Sequence, residues 1–280
     1  MDFYMSTLKS LHLNSVKYLN LRTAFRLAAE CGFGAVEISV PKLLNYLDIG
    51  FTNADIKAML DEYGLVPVCV NDIFGVESMR PEERKRIFAE MERLAPITRD
   101  IGCDTLQVCP LTELVELSWP EARRMTAKNI RKLADMAAPF GVRIQLETMA
   151  WAPICSLSRG LEVLDEVGAD NVGISIDTWH FYAGGGTTPD DVAKMDKNLM
   201  CNIHFCDGRR PHEGEPWDEE IQRAYYPGEG DIPLKEYAEA IRATGYSGSW
   251  SIELISRKHW EDDSREVVQR LFAGLSEYVD

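Results

Sequence analysis

One stretch of the chain decides the fold: residues 142–177 read VRIQLETMAWAPICSLSRGLEVLDEVGADNVGISID. Its two ends are short apolar runs rich in β-branched residues, which is typical of strands buried in a parallel sheet. The residues between them predict a helix over 158–167 that ends at Gly168, since glycine commonly follows the last turn of a helix. The stretch therefore predicts a strand–helix–strand unit.

The same alternation runs through the whole chain. The predicted strands are 3–6, 35–40, 65–71, 104–110, 142–147, 171–177, 200–206 and 248–254. The predicted helices are 20–31, 53–63, 81–100, 119–140, 158–167, 189–195, 232–244 and 263–278. Eight strand–helix units of roughly 35 residues predict a single-domain α/β protein, a (β/α)8 TIM barrel over residues 1–280. An open doubly wound sheet is the alternative, but no GxGxxG motif follows the first predicted strand.

Composition narrows the classes of partner. The 30 Lys and Arg residues against 45 Asp and Glu give a net charge of −15, which argues against nucleic acid because phosphate contacts draw on Lys and Arg. We expect no membrane span and no secretory signal, since no apolar run is long enough. Seven scattered cysteines are typical of a reduced, cytoplasmic protein. Cys201 and Cys206 flank His204, but CNIHFC lacks the second ligand pair of a soft-metal site.

Polar residues end four consecutive predicted strands: Glu147, Asp177, His204 and Glu253. In a TIM barrel the carboxyl ends of the strands converge on the face that carries the active site. Two Glu, one Asp and one His form a hard, mostly oxygen ligand set. Because these groups would repel one another without a cation, the sequence predicts a site for one divalent metal ion. The alternative for any single residue is a hydrogen-bonded polar group at a strand end.

The loops after these strands carry candidate substrate contacts. His180 follows Asp177 by three residues and is expected to donate to a substrate oxygen if His204 already binds the metal, with a second metal ligand as the alternative. A polar segment of about 25 residues follows the seventh strand, a length typical of lids or binding loops. Arg210, at its start, is expected to hold a substrate oxygen, whereas Arg209 is expected to balance nearby acids on the surface. Trp151 and Trp179 either wall a pocket for a polyol or cover the barrel top.

Five motifs carry a family resemblance: LET with Glu147, IDTWHFYAGG with Asp177, NIHFCDGRR with His204, YPGEGDIPL with Gly228 and SIEL with Glu253. With them the chain resembles the sugar phosphate isomerase/epimerase superfamily, the xylose-isomerase-like TIM barrels, which include inosose isomerases and dehydratases and ketose 3-epimerases. The N-terminal half resembles that superfamily only through GFGAVEIS around Glu37. The resemblance implies one divalent ion, often Mn²⁺ with Mg²⁺, Co²⁺ or Zn²⁺ as alternatives. It assigns the four strand-end residues to the metal, and His180 and Arg210 to the substrate.

Two departures from the superfamily's patterns are informative. Ketose 3-epimerases carry a second glutamate at the position of Pro153, which argues against a free-ketohexose epimerase. The abasic-site endonucleases of the superfamily need several more histidines for three metals than the five of this chain.

These features predict a metal-dependent isomerase or epimerase acting on a keto-sugar or inosose. Glu147 and Glu253 would exchange a proton next to a carbonyl on opposite faces, through a metal-stabilised enediolate. The alternative is a dehydratase or lyase acting on a keto-sugar, an inosose, a 3-dehydroshikimate-like substrate or a 3-keto-glycoside. An alternative of another class is a non-catalytic sugar-binding or partner subunit. The sequence leaves open a homo-oligomer or a complex with a partner subunit.

Overall fold

Eight parallel strands close into a barrel in chain order in the computed structural model, which describes residues 7–279. The strands are β1 Leu8–His12, β2 Ala35–Ser39, β3 Val66–Phe74, β4 Thr105–Cys109, β5 Arg143–Leu146, β6 Val172–Asp177, β7 Met200–Phe205 and β8 Ser249–Ile252. Strand β1 pairs with β2 on one side and with β8 on the other. The predicted single (β/α)8 barrel fold is confirmed.

Helices surround this sheet. They are α1 Leu21–Glu30, α2 Val40–Asp48, α3 Asn53–Tyr63, α4 Pro81–Asp100, α5 Trp119–Ala137, α6 Leu157–Val167, α7 Thr178–Gly184, α8 Pro189–Val192, α9 Glu219–Gln222, α10 Leu234–Ala243 and α11 Ser264–Val279. Their ends follow ordinary capping rules: Thr52 and Asp55 form a capping box at the start of α3, and Gly64 ends it with a φ of 65°. Within residues 7–279, no helix has both the length and the apolar character needed to cross a membrane.

The first strand differs from the prediction. The predicted strand 3–6 lies outside the described residues, and Leu8–His12 takes the first position of the barrel. Its LKSLH sequence is not an apolar run, because it contains the polar residues Ser10 and His12. Both are nevertheless buried, among other polar groups. The hydroxyl of Ser251 donates to that of Ser10 at 2.9 Å, and the His12 ring lies edge-on to that of His204 at 5.3 Å. The apolar pattern therefore did not predict this strand, because the barrel interior around it is polar.

Three helices were not predicted: α2, α7 and α9. Helix α2 begins directly after β2, where Pro41 in its first turn favours a helix start. Asp177, the last residue of β6, also caps α7, since its Oδ1 accepts the His180 N–H at 2.7 Å. This cap fixes one oxygen of a predicted metal ligand.

Candidate active site

The four strand-end residues meet in one buried group, which we call the tetrad: Glu147, Asp177, His204 and Glu253. Strand pairing sets Asp177 beside His204, and the two glutamates directly follow β5 and β8. One ligand atom from each lies within 4.8 Å of those of the other three. No member is more than 5% exposed. The structure thus brings together all the residues that the sequence predicted for the metal.

The ring of His204 has two different sides. Its Nδ1 faces the tetrad carboxylates, at 2.6 Å from Glu147 Oε1, 3.7 Å from Asp177 Oδ2 and 3.8 Å from Glu253 Oε2. Its Nε2 lies 3.1 Å from both oxygens of Glu37. Because the Nε2 hydrogen is directed to Glu37, Nδ1 is left facing three carboxylates. A proton or a metal ion must therefore lie between this nitrogen and those carboxylates.

Glu37 is fully buried inside the barrel and held by amides. Its oxygens accept from Asn71 Nδ2 at 3.2 Å and from Asn202 Nδ2 at 2.7 Å. Burial alone would raise the pKa of Glu37, but attraction to His204 and His12 outweighs it and holds this pKa at about 2. Glu37 is therefore an ionised carboxylate that orients His204. The sequence placed it at a strand end without giving it this role.

The tetrad carries an excess of negative charge. Burial raises the pKa of Glu147, while the carboxylates around His204 raise the pKa of its ring well above the usual value in spite of burial. Counting Glu37, four buried carboxylates face the protonated His204 ring and one guanidinium. The His12 ring lies near Glu37 and Glu253 as well, but burial lowers its pKa and favours its neutral form. A fully ionised cluster therefore lacks two positive charges. The donor set and its charge fit a divalent cation.

The guanidinium belongs to Arg223, which the sequence did not single out. Its Nη2 donates to Asp177 Oδ2 at 2.9 Å and to Glu253 Oε2, and its Nη1 donates to Glu219 at 2.9 Å. Arg223 lies directly after α9 in the polar segment 207–231, the predicted lid, and is 1% exposed. The only sequence signal for it is the four-residue spacing from Glu219 in EEIQR, which pairs the two on one helical face.

The two other arginines of the lid lie elsewhere. Arg210 is exposed, donates from Nε to the Tyr182 carbonyl at 3.0 Å and stacks on the Tyr182 ring at 4.6 Å. The structure therefore does not bring it to the tetrad. Arg209 forms a two-pronged pair with Glu215 at 2.6 and 2.8 Å, the charge balance expected of it.

His180 lies beside Arg223 and is fully buried. Its Nδ1 accepts the Ala150 N–H at 3.1 Å, so the neutral ring carries its hydrogen on Nε2. Burial lowers the pKa of His180 to about 3, which keeps the ring neutral across the physiological range. Such a ring can donate one hydrogen bond to a substrate oxygen.

Three tryptophans form an aromatic cluster above His180: Trp151, Trp179 and Trp217, with ring centroids 5.8–6.1 Å apart. Trp179 is fully buried and stacks under Arg223 at 5.2 Å. Trp151 and Trp217 line an open cleft of about 610 Å³ together with residues of α9. Only two of the three can therefore touch a ligand in this cleft.

Helix α9 separates this cleft from a second one of about 250 Å³. Glu219 and Glu220 line both clefts, whereas Asn71 and Asp72 line only the smaller one. Burial raises the pKa of Glu219 to about 7. Within the tetrad, no member lines either cleft. The segment 219–223, which comprises α9 and Arg223 and which we call the α9 segment, thus lies between the tetrad and the two clefts.

A carboxyl outside the tetrad, that of Asp72, also lies close to Glu147. The Cys109 thiol is 3.2 Å from Asp72 Oδ2 and 3.4 Å from Glu147 Oε2. Removal from water raises the pKa of Asp72 well above its usual range, which favours its neutral acid form. In this form Asp72, at the edge of the site, carries a proton that it can donate.

The YPGEGD motif has a structural partner in Asp207. Its carboxylate accepts the N–H groups of Gly208 at 2.7 Å, Gly228 at 2.8 Å, Gly230 at 3.0 Å and Ile232 at 3.4 Å. A Cβ on Gly230 would lie 2.3 Å from Asp207 Oδ1. These contacts fix the C-terminal end of the lid against β7.

Comparison with known proteins gives one family and several relatives. A family model described as a xylose isomerase-like TIM barrel matches residues 25–273. An inosose isomerase of Bacillus velezensis is 24% identical over 254 residues, which cover 89% of each chain. A 3-dehydroshikimate dehydratase of Pseudomonas aeruginosa is 24% identical over 230 residues, which cover 81% of this chain but 35% of that enzyme. A crystal structure of the IOLI protein with a bound zinc atom superposes with a TM-score of 0.90 at 21% identity, covering 98% of each chain.

Proposed function

The chain belongs to the xylose isomerase-like TIM barrel family and is an enzyme of that family, and we propose that it isomerises or epimerises a keto-sugar or inosose with one divalent metal ion. The reaction would proceed by proton abstraction next to a carbonyl. A family whose members include isomerases and dehydratases leaves no support for the non-catalytic alternative.

The single observation that carries the proposal is the environment of His204 Nδ1. Three carboxylates surround this nitrogen, while Glu37 occupies the other side of the ring. Glu147, Asp177, His204 and Glu253 would hold the ion, as hard donors suit a divalent cation. When bound, such an ion polarises a carbonyl oxygen. Zinc bound to the related IOLI protein favours a divalent ion, and Mn²⁺ remains our proposal on the superfamily resemblance.

Two glutamates are placed to move the proton. Glu147 combines a pKa raised by burial with an anchoring hydrogen bond from Gln107 Nε2 at 2.9 Å. A raised pKa makes a carboxylate a stronger base near neutral pH. Glu253 faces the same His204 nitrogen at 3.8 Å, accepts from Arg223 Nη2, and lies 3.4 Å from the ring of His12. We assign Glu147 to one face of the substrate and Glu253 to the other.

The surrounding residues would bind the hydroxyl groups. His180 Nε2–H is a fixed donor. Trp151, at the wall of the larger cleft, offers an apolar face to a polyol ring. Trp179 is buried and packs against the Arg223 guanidinium instead. Arg210 could reach a substrate only by leaving Tyr182, so we rank it below Arg223 as a substrate ligand. The predicted partner remains a small polyol or keto-sugar.

A dehydratase is the second candidate because of Asp72. Its neutral carboxyl faces Glu147 across the Cys109 thiol, and it lines the smaller cleft. An acid at that position could protonate a departing β-hydroxyl group after Glu147 has removed the α-proton. The likeness to a 3-dehydroshikimate dehydratase supports this alternative.

A panel of inososes and keto-sugars in D₂O with Mn²⁺ or Zn²⁺, followed by NMR, tests the proposal. An isomerase or epimerase should incorporate solvent deuterium and return a carbonyl compound, whereas a dehydratase should yield an ultraviolet-absorbing enone. Glu147→Gln and Glu253→Gln should each lower the rate by roughly 10²- to 10⁴-fold. The exposed Glu236 on α10 provides a matched control, since Glu236→Gln changes the same charge far from the tetrad.

The metal requirement is tested separately by elemental analysis. Wild-type protein loaded with Mn²⁺ and then desalted should retain about one equivalent. Retention of under about a tenth of an equivalent, or full activity in both glutamine variants, would show that the proposed chemistry is wrong.

A further inference from the structure

We propose that Arg223 and the divalent ion bind the same two tetrad oxygens in turn, so that metal binding releases the α9 segment from the barrel. Arg223 is then a positioning residue that sets both the metal affinity and the access to the site. This inference rests on the metal site of the proposed function and goes beyond it.

The atoms involved make the competition specific. Asp177 Oδ2 and Glu253 Oε2 are the oxygens that approach His204 Nδ1, and both accept from Arg223 Nη2. The other oxygens lie toward different groups: Asp177 Oδ1 accepts the His180 N–H at 2.7 Å, and Glu253 Oε1 lies 3.4 Å from His12 Nε2, without a hydrogen bond between them. A cation bound at His204 Nδ1 would therefore meet the Asp177 and Glu253 oxygens that Arg223 holds.

Arg223 is also incompletely satisfied where it lies. Its Nε is buried and has no hydrogen-bond partner among the described residues. Its Nη1 is 3.3 Å from His180 Nε2, which carries the hydrogen of that ring, so one donor faces another. Unmade or opposed hydrogen bonds of buried groups cost free energy. These two features lower the free-energy cost of moving the guanidinium away from the tetrad.

Leaving the tetrad would affect α9 as a whole. Arg223 directly follows α9, and its pairs with Asp177 and Glu253 tie this segment to β6 and β8. Glu219, four residues earlier, already accepts Arg223 Nη1 at 2.9 Å and lines both clefts. A released guanidinium would thus stay with Glu219 at the cleft floor, where it can donate to a substrate oxygen.

The first test measures metal affinity, by competition between the protein and a chromophoric chelator for Mn²⁺ and Zn²⁺. Arg223→Met keeps much of the side-chain length and removes the competing charge, so metal should bind at least about tenfold more tightly, which corresponds to about 1.4 kcal/mol. The control Arg210→Met removes an equal charge from the same lid without touching the tetrad, and should change affinity less than about twofold.

The second test uses the wild-type chain, which avoids any folding defect of the variant. Hydrogen exchange of peptides spanning 216–226 should become faster when Zn²⁺ is added, while peptides of β6 and β7 become slower. Unchanged or weaker metal binding by folded Arg223→Met, or slower exchange of 216–226 with metal, overturns the inference. A wild-type chain that binds no metal instead refutes the proposed function.

Discussion

Glu37 and His204 form a buried contact in which both carboxylate oxygens lie 3.1 Å from the ring Nε2. The contact turns Nδ1 toward the three carboxylates of the tetrad and fixes the tautomer that a metal would need. Outer carboxylates of this kind commonly tune the affinity of a metal-binding histidine.

Replacing Glu37 should therefore weaken metal binding without removing a ligand. Glu37→Gln keeps the size of the side chain but loses the charge, so we expect the Mn²⁺ dissociation constant to rise roughly 10- to 100-fold. Competition with a chelator measures this constant. Glu113→Gln, at a carboxylate paired with Arg80 outside the tetrad, serves as the control. An unchanged dissociation constant in Glu37→Gln would show that His204 needs no orienting carboxylate.

The same carboxylate predicts a pH dependence of stability. The pKa of Glu37 is about 2 in the folded chain against an ordinary value of 4.5. Because the folded value is the lower one, the stabilisation is present above pH 4.5 and is lost as the pH falls toward 2. The difference corresponds to about 3 kcal/mol. The pKa of His204 is raised by Glu37 and also by Glu147 and Asp177, so the part due to Glu37 is the same interaction and is not added a second time.

Urea unfolding between pH 6 and pH 2.5 tests this prediction. The wild-type chain should be more stable than Glu37→Gln at pH 6, and the difference should shrink steadily below pH 4.5. A constant difference over this range would mean that Glu37 titrates normally and that its pair with His204 adds no stability.

The tryptophans of the larger cleft should affect binding more than turnover. Trp151→Ala removes an aromatic wall of this cleft. In the proposed function that wall would contact substrate equally before and during the reaction, so KM should rise by roughly tenfold while kcat changes little. Steady-state kinetics with the best substrate of the panel separate the two constants. Phe140→Ala, an exposed aromatic between α5 and β5, should leave both unchanged. A fall in kcat alone would place Trp151 in the chemical step instead.

Asp207 should prove important for the lid and not for the metal. Asp207→Ala leaves four N–H groups without their acceptor, which should lower the free energy of unfolding by roughly 3 kcal/mol. Thermal unfolding measures the loss, and Asp231→Ala, at an exposed carboxylate of the same segment, is the control. Metal affinity should be retained, and its loss would give Asp207 a direct part in the site.

The barrel and the tetrad could be predicted from sequence because both depend on local patterns. Strands such as VGISID carry an apolar pattern of their own and end in a candidate metal ligand, here Asp177. His12 and Arg223 could not be predicted in this way. His12 lies on a strand whose interior face is polar, and Arg223 reaches the tetrad only through the path of a long loop. The position of Arg210 was likewise decided by its contact with Tyr182, which no spacing reveals.

The closure of the barrel by β1 and β8 also governs when the site can form. His12 lies 3.4 Å from Glu253, although 241 positions separate them in the chain, and β1 has no second neighbour until β8 is in place. Ordering contacts between the two ends of a chain is entropically costly and slow. Full affinity at the proposed metal site would therefore arise late in folding. A nascent chain that has emerged only through β7 lacks both Glu253, the last of the proposed metal ligands, and the strand that closes the barrel.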